Sequence, residues 1–188
     1  MRKPLVVAMT AAMSVGVAAL VPVTANAGAG DTLSTFTVSA GSGLSIAVPD
    51  GSVTPVNLGT ATAGAGSLSH GLGSVTVTDG RGALTATWTA TAASTDFTTG
   101  SASADETVAK ANVGYYAGLG TPLLGQVGAF VPAGTALTPV ALAGSGATVG
   151  TWAGTGSNTV TWNPTITFTL SPSQVVGTYT GTITHSVS

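Results

Sequence analysis

The 188-residue sequence contains no cysteine, and only 5% of its residues are charged. Without cysteine the chain has neither disulfide bonds nor thiolate metal ligands, so packing and hydrogen bonds must hold its fold together. Only four residues are lysine or arginine, against six that are aspartate or glutamate. Because nucleic-acid binding needs clustered basic side chains to neutralise phosphates, we exclude nucleic acid as a partner.

The N-terminus has the organisation of an export signal. A short cationic start precedes a mostly apolar run over residues 5–21, and residues 25–27 fit the small-residue cleavage pattern. We predict a signal peptide over residues 1–27 and a mature domain over residues 28–188, with no membrane segment after cleavage. The alternative is an uncleaved anchor, because the apolar run approaches the ~20 residues that span a bilayer.

The charge of the predicted mature chain limits its partners. Arg81 and Lys110 remain beside all six acidic residues, which leaves a net charge of −4. This balance disfavours docking on anionic lipid or anionic wall polymers. Disorder is also excluded, because 44% of the residues are hydrophobic. We expect a secreted protein, extracellular or associated with the cell wall, whose partner presents a neutral or mixed-charge surface.

Alternation with a period of two residues dominates the sequence. Residues 85–92 place Trp88 and three alanines on one face and four threonines on the other, and residues 74–78, 158–162 and 165–170 repeat the scheme. Such alternation predicts half-buried antiparallel strands, and the segments rich in Gly, Pro and Asp between them predict turns. We predict an all-β fold, a single antiparallel β-sandwich of the immunoglobulin-like or Greek-key type with about eight to ten strands.

The middle of the chain is less regular. Residues 105–111 predict a short helical turn, because two acidic residues stand at its start and Lys110 stands near its end. Residues 114–116 predict a strand, whereas residues 118–146 predict loops.

No catalytic motif is present. The sequence has no nucleophile elbow, phosphate-binding loop or zinc-binding helix motif, and His70 and His185 are its two histidines. Asp79 and Asp96 are possible paired carboxylates of a glycosidase, but each is equally explained as a turn residue. We predict a nonenzymatic protein with no cofactor and no metal site.

The aromatic residues are few and fall into different patterns. Trp88 and Trp162 share a face with small apolar residues, which is typical of core anchors. Trp152 stands among glycines and joins no apolar face, so it is a candidate for stacking on a sugar. In the final strand, Tyr179 and His185 lie on the apolar face. The imidazole of His185 is either neutral and packed near the end of the sheet with one hydrogen bond to the backbone, or a ligand-facing or pH-sensing group.

Two stretches carry further information. They are GSVTVTDGRGALTATWTATAASTDFT, residues 73–98, and WNPTITFTLSPSQVVGTYTGTITHSVS, residues 162–188. They resemble the two motif regions of the WxL-domain family of surface proteins from Gram-positive bacteria. Trp88 stands at one signature tryptophan, with Ala90 at the leucine that follows it. His185 stands where the family has its second signature tryptophan.

The resemblance implies a β-sandwich surface domain with noncovalent attachment to peptidoglycan. It points to Trp88, Tyr179 and His185 as ligand-binding residues, and the aromatic pattern adds Trp152. We expect a secreted, nonenzymatic protein that associates with the cell wall or with other surface proteins. The alternative is a coat-like or pilus-like structural subunit that self-associates by strand pairing, because the charges that usually guard sheet edges are scarce.

Overall fold

The computed structural model of the protein describes residues 34–51 and 54–188. The predicted signal peptide, residues 1–27, lies outside the described residues, and so do the first six residues of the predicted mature domain. Within the described ranges, no helix has the length and apolar character needed to cross a membrane.

The chain divides into two units, Met1–Thr37 and Val38–Ser188. The described part of the first unit, residues 34–37, has no regular secondary structure. All of the strands given below belong to the second unit.

Fourteen strands form in the described part of the chain, and every pairing between them is antiparallel. They are β1 Leu44–Ala47, β2 Ser67–Gly71, β3 Val75–Asp79, β4 Ala86–Ser94, β5 Phe97–Thr98, β6 Thr107–Val108, β7 Val113–Tyr116, β8 Thr121–Pro122, β9 Val127–Pro132, β10 Val140–Ala141, β11 Ala147–Thr155, β12 Asn158–Trp162, β13 Thr165–Thr169 and β14 Ile183–Val187. Four of these strands have only two residues each: β5, β6, β8 and β10. The remaining ten strands agree with the predicted number of about eight to ten.

The strands form three four-stranded sheets and one two-stranded sheet. Sheet I has the order β1, β3, β12, β8; sheet II has the order β10, β7, β13, β2; sheet III has the order β14, β4, β11, β9; and β5 pairs with β6. Neighbouring strands are mostly distant in sequence, which is typical of Greek-key connections. One core cluster takes residues from all three large sheets. The predicted all-β sandwich is confirmed.

The period-two pattern of the sequence explains these strands. In β4 the residues Ala86, Trp88, Ala90 and Ala92 are buried at alternate positions, while the threonines between them are exposed or half-buried. β3, β12 and β13 show the same alternation. Threonine suits the outer face because its branched Cβ packs on a pleated sheet while its hydroxyl stays hydrated. Each sheet therefore has one apolar face that must be covered.

Aromatic rings cover the apolar faces of sheets I and III. Trp88 stacks on Trp152 and on Trp162 with ring centroids 6.4 Å apart in both pairs, and Phe130 stacks on Trp162 at 5.1 Å. The three tryptophans are only 1–2% exposed. The prediction that Trp88 and Trp162 anchor the core is confirmed. The prediction that Trp152 is open to a sugar is wrong, because β11 turns its ring inward against Trp88.

The middle of the chain differs from two expectations. Instead of one helical turn over residues 105–111, two 3₁₀ turns, Ala104–Glu106 and Lys110–Asn112, flank β6. The extended β6 buries Val108 in the core, which a helical turn would not do. Residues 118–146 are not all loop, because they contain β8, β9 and β10. β9 was missed because glycines and prolines interrupt its alternation.

The aromatic core generates the first prediction. Trp162→Ala should lower the free energy of unfolding by about 3–5 kcal/mol, because it removes a buried indole and leaves a cavity between Trp88 and Phe130. Chemical denaturation followed by circular dichroism measures this loss. Leu84→Ala is the matched control, since the Leu84 side chain is exposed, and it should change stability by less than about 0.5 kcal/mol. Equal losses in the two variants would contradict the assignment.

Candidate functional site

A cleft of about 630 Å³ lies at one side of the described strands. Two loops, residues 55–64 and residues 171–181, form its walls. Phe97, Val108 and Phe168 contribute an apolar floor. Small-molecule sites are commonly clefts of about 300–1,000 Å³ with apolar surface and a few polar groups, and this cleft has that size and lining.

The floor of the cleft is rigid because its residues belong to paired strands. Phe97 in β5 is opposite Val108 in β6. The ring of Phe97 meets the ring of Phe168 in β13 edge to face, with centroids 4.9 Å apart and planes at 79°. Such an edge-to-face pair fixes both rings. The floor therefore presents a preformed apolar surface.

The cleft carries no charged side chain along its lining. None of the described residues that form it is Asp, Glu, Lys or Arg. Its polar groups are the side chains of Asn57, Gln174, Tyr179 and several Ser and Thr residues, together with the backbone of the two loops. Such a surface has no partner for a formal charge, so it fits an uncharged ligand recognised by shape and hydrogen bonds.

Tyr179 fastens the wall formed by residues 171–181. Its hydroxyl lies 2.8 Å from the Val175 carbonyl oxygen and 3.2 Å from the Asp105 carbonyl oxygen. The Asp105 carbonyl also accepts hydrogen bonds from the Val175 amide at 3.1 Å and from Gln174 Nε2 at 3.1 Å. Tyr179 thus lines the cleft, and its hydroxyl is engaged in holding the wall in place.

His185 lies outside the cleft lining, beside Tyr115. In β14 it is opposite Ala92 of β4, and its Nε2 is 3.2 Å from the Tyr115 hydroxyl. The Trp162 indole N–H donates to the same hydroxyl at 2.9 Å. Because an indole N–H can only donate, the Tyr115 oxygen accepts from Trp162 and its own proton is free for His185 Nε2. The imidazole is packed with one hydrogen bond, but the partner is the Tyr115 hydroxyl and not the backbone group that was predicted.

Burial shifts the titration of this pair. Desolvation lowers the pKa of His185 to about 4, because charging a buried imidazole costs solvation energy. Desolvation also raises the pKa of Tyr115, so its hydroxyl stays protonated. Within the described residues, the buried Nδ1 of His185 has no hydrogen-bond partner.

Asp79 belongs to a buried polar network that the sequence pattern did not reveal. Arg81 Nε and one terminal nitrogen donate to its two carboxylate oxygens, each at 2.8 Å. The Arg81 side chain also donates to the Thr87 carbonyl, and Asn158 accepts from Trp88 Nε1 at 2.8 Å. Hydrogen bonding to Arg81 holds the pKa of Asp79 below its usual range. Asp79 is therefore a paired structural anion.

Asp96 also has a structural role. Its carboxylate accepts a hydrogen bond from the Lys110 backbone amide at 2.7 Å, at the start of the second 3₁₀ turn. This contact explains Asp96 without any catalytic function. The described residues contain no group of three His, Asp or Glu side chains that is placed to hold a metal ion.

The structure does not unite the four predicted ligand-binding residues in one site. Trp88 and Trp152 are in the core, Tyr179 lines the cleft, and His185 contacts Tyr115. The loop over residues 55–64 was not identified from the sequence, because neither charge nor alternation marks it. Phe97 and Phe168 do follow strand patterns, but nothing in those patterns places them at the base of a cleft.

Comparison of the chain with protein-family models, with curated proteins and with solved structures finds no match.

The environment of His185 generates a prediction about pH. The unfolded chain binds a proton near pH 6.5, whereas folded His185 binds it near pH 4, so the stability from the neutral imidazole is complete above about pH 6.5. It should be lost progressively as the pH falls towards 4, by at most about 3 kcal/mol. Denaturation midpoints measured between pH 7 and pH 4 should fall more steeply in wild type than in His185→Gln.

Wild type and His185→Gln contain the same carboxylates, so the carboxylates contribute equally to both stability curves. The difference between the two curves therefore reports His185. Parallel stability curves for the two proteins over this interval would contradict the burial of a neutral His185.

Proposed function

We propose that the protein is a secreted, nonenzymatic surface protein that associates noncovalently with the cell wall through the uncharged cleft. The observation that carries the proposal is the cleft of about 630 Å³, which has an apolar floor and no charged lining residue. A neutral glycan chain fits this chemistry, because its hydroxyls can pair with backbone groups while its sugar rings pack on apolar surface. Peptidoglycan is the proposed partner.

The sequence supports this assignment in two ways. Residues 1–27 have the organisation of an export signal. The two stretches that resemble the WxL-domain family include β4 and β14, which are adjacent strands of sheet III. In that family such domains attach to peptidoglycan without a covalent bond. The proposed attachment depends on the cleft, not on Trp88, because its indole is buried.

A nonenzymatic role is part of the proposal. Asp79 is bound by Arg81, and Asp96 is bound by a backbone amide. The carboxylates that were considered for a glycosidase thus each have a structural partner. Neither one lines the cleft.

The proposal is tested by sedimentation of the protein with purified peptidoglycan, with an insoluble neutral glycan as the comparison polymer. Wild type should sediment with peptidoglycan. Val176→Asp should weaken this binding by about tenfold or more, because it places an unpaired charge at the wall of an uncharged cleft. Leu137→Asp is the matched control, since Leu137 is also exposed but does not line the cleft.

Two results would count against the cleft. One is no sedimentation of wild type above the level seen without polymer. The other is an equal loss of binding in Val176→Asp and Leu137→Asp. Binding to both polymers alike would restrict the proposal to neutral glycans in general.

A structural subunit that assembles through strand pairing is the second candidate function. It is favoured by the charge distribution, because residues 111–188 contain no Asp, Glu, Lys or Arg at all. Sheet edges in this half of the chain therefore have no charged side chain to oppose association.

A further inference from the structure

β9 is an unpaired edge of sheet III. On one side it pairs with β11 through six residue pairs, from Val127 to Pro132. No described strand pairs with its other side. It is the longest of the six edge strands in the three large sheets. An edge of this kind presents backbone N–H and C=O groups to any strand that can align with it.

β9 and the turn before it carry no charged side chain to protect the edge, although Pro132 stands at the end of the strand. Val127 and Val131 are exposed on the strand, and Leu123 and Leu124 are exposed in the turn that precedes it. No charged residue occurs anywhere in residues 111–188. Natural edges are commonly guarded by lysine or other charges, so this one is open to an uncharged strand.

The chain contains a segment with the properties of such a strand. In residues 35–40, Phe36, Val38 and Ala40 alternate with Thr35, Thr37 and Ser39. This is the alternation of β4, with one apolar face and one hydroxyl face. The segment belongs to no strand in the structure, and Phe36 and Val38 are 90% and 83% exposed. Its six residues match the length of β9, and none of them is charged.

We propose that residues 35–40 of one copy of the chain pair with β9 of a second copy as an added strand. The pairing supplies hydrogen bonds to the β9 edge and covers apolar side chains on both partners. It joins two different surfaces, so the contact is head to tail and can repeat from copy to copy. For the second candidate function, a structural subunit, residues 35–40 are the donor strand and β9 is the acceptor edge. This pairing does not depend on the cleft.

The absence of cysteine makes a direct test possible. One preparation of the full chain carries Val38→Cys and a second carries Ala129→Cys, and the two are mixed under mild oxidation. Strand neighbours bring Cα atoms to about 4.4–6.8 Å, the range in which a disulfide forms. Phe36→Cys and Val131→Cys extend the panel to other registers. At least one mixture should give a disulfide-linked dimer on a nonreducing gel. The amount of this dimer should be at least fivefold higher than in a mixture of Val38→Cys with Leu84→Cys.

The outcomes separate the possibilities. If Val38→Cys forms as much dimer with Leu84→Cys as with the cysteine variants of β9, the disulfides arise from random collision. That result overturns the proposal. A double variant, Val38→Cys with Ala129→Cys, that closes within a single chain would also overturn it, because the donor and acceptor would then belong to one copy.

Light scattering after size-exclusion chromatography gives an independent measurement. Wild type should show a mass above 18.0 kDa that rises with concentration. Val38→Lys and Val131→Lys should each return the protein to the monomer mass, while Leu137→Lys should associate as wild type does. A wild-type monomer at all concentrations overturns the proposal. Peptidoglycan binding should be retained in Val38→Lys, so failure of the strand pairing and failure of the cleft are distinguishable.

Discussion

The stacking of Trp88 with Trp152 and Trp162 is the interaction on which the structure depends. A chain without disulfides must obtain its stability from buried apolar area, and indoles supply more of it per residue than any other side chain. Two of the indole N–H groups also have specific partners. Trp88 donates to Asn158 and Trp162 donates to Tyr115. These bonds run between different strands and favour one alignment of the sheets over others.

Several polar groups near the stack have specific partners, whereas the buried Trp152 Nε1 and His185 Nδ1 have none among the described residues. Asp79 is fully buried, yet both of its oxygens accept from Arg81. A buried carboxylate without such a partner would be strongly destabilising. Tyr115 connects the stack to His185 at the edge of sheet III. The aromatic core, the ion pair and the histidine therefore form one continuous arrangement. The cleft lies over Phe97 and Phe168, which belong to the same core cluster.

The scarcity of charge links the fold to the proposed roles. A neutral ligand is proposed for the cleft because its lining contains no charged residue, and strand pairing is proposed at β9 for the same reason. Threonine keeps the outer faces hydrated where other proteins use lysine and glutamate. A surface of this kind favours recognition by shape, backbone hydrogen bonds and apolar contact.

The sequence predicted those parts of the structure that depend on local periodicity. The strands around Trp88, Val160 and Ile166 were recognised because two-residue alternation directly reports which face is buried. The inward position of Trp152 was missed because the residues two positions away on either side, Gly150 and Gly154, have no side chain that would mark an apolar face. The cleft and the contact between Tyr115 and His185 were also missed. They join residues about 70 or more positions apart, and such pairings depend on strand order.

Hydrogen exchange of the backbone amides in the native protein tests the role of the aromatic stack most directly. If the stack holds the fold together, amides in β4, β11 and β12 should be the most protected, with opening free energies that approach that of global unfolding. Amides in the cleft loops, residues 55–64 and 171–181, should exchange much faster. Exchange in β4 and β11 that is as fast as in those loops would contradict the account.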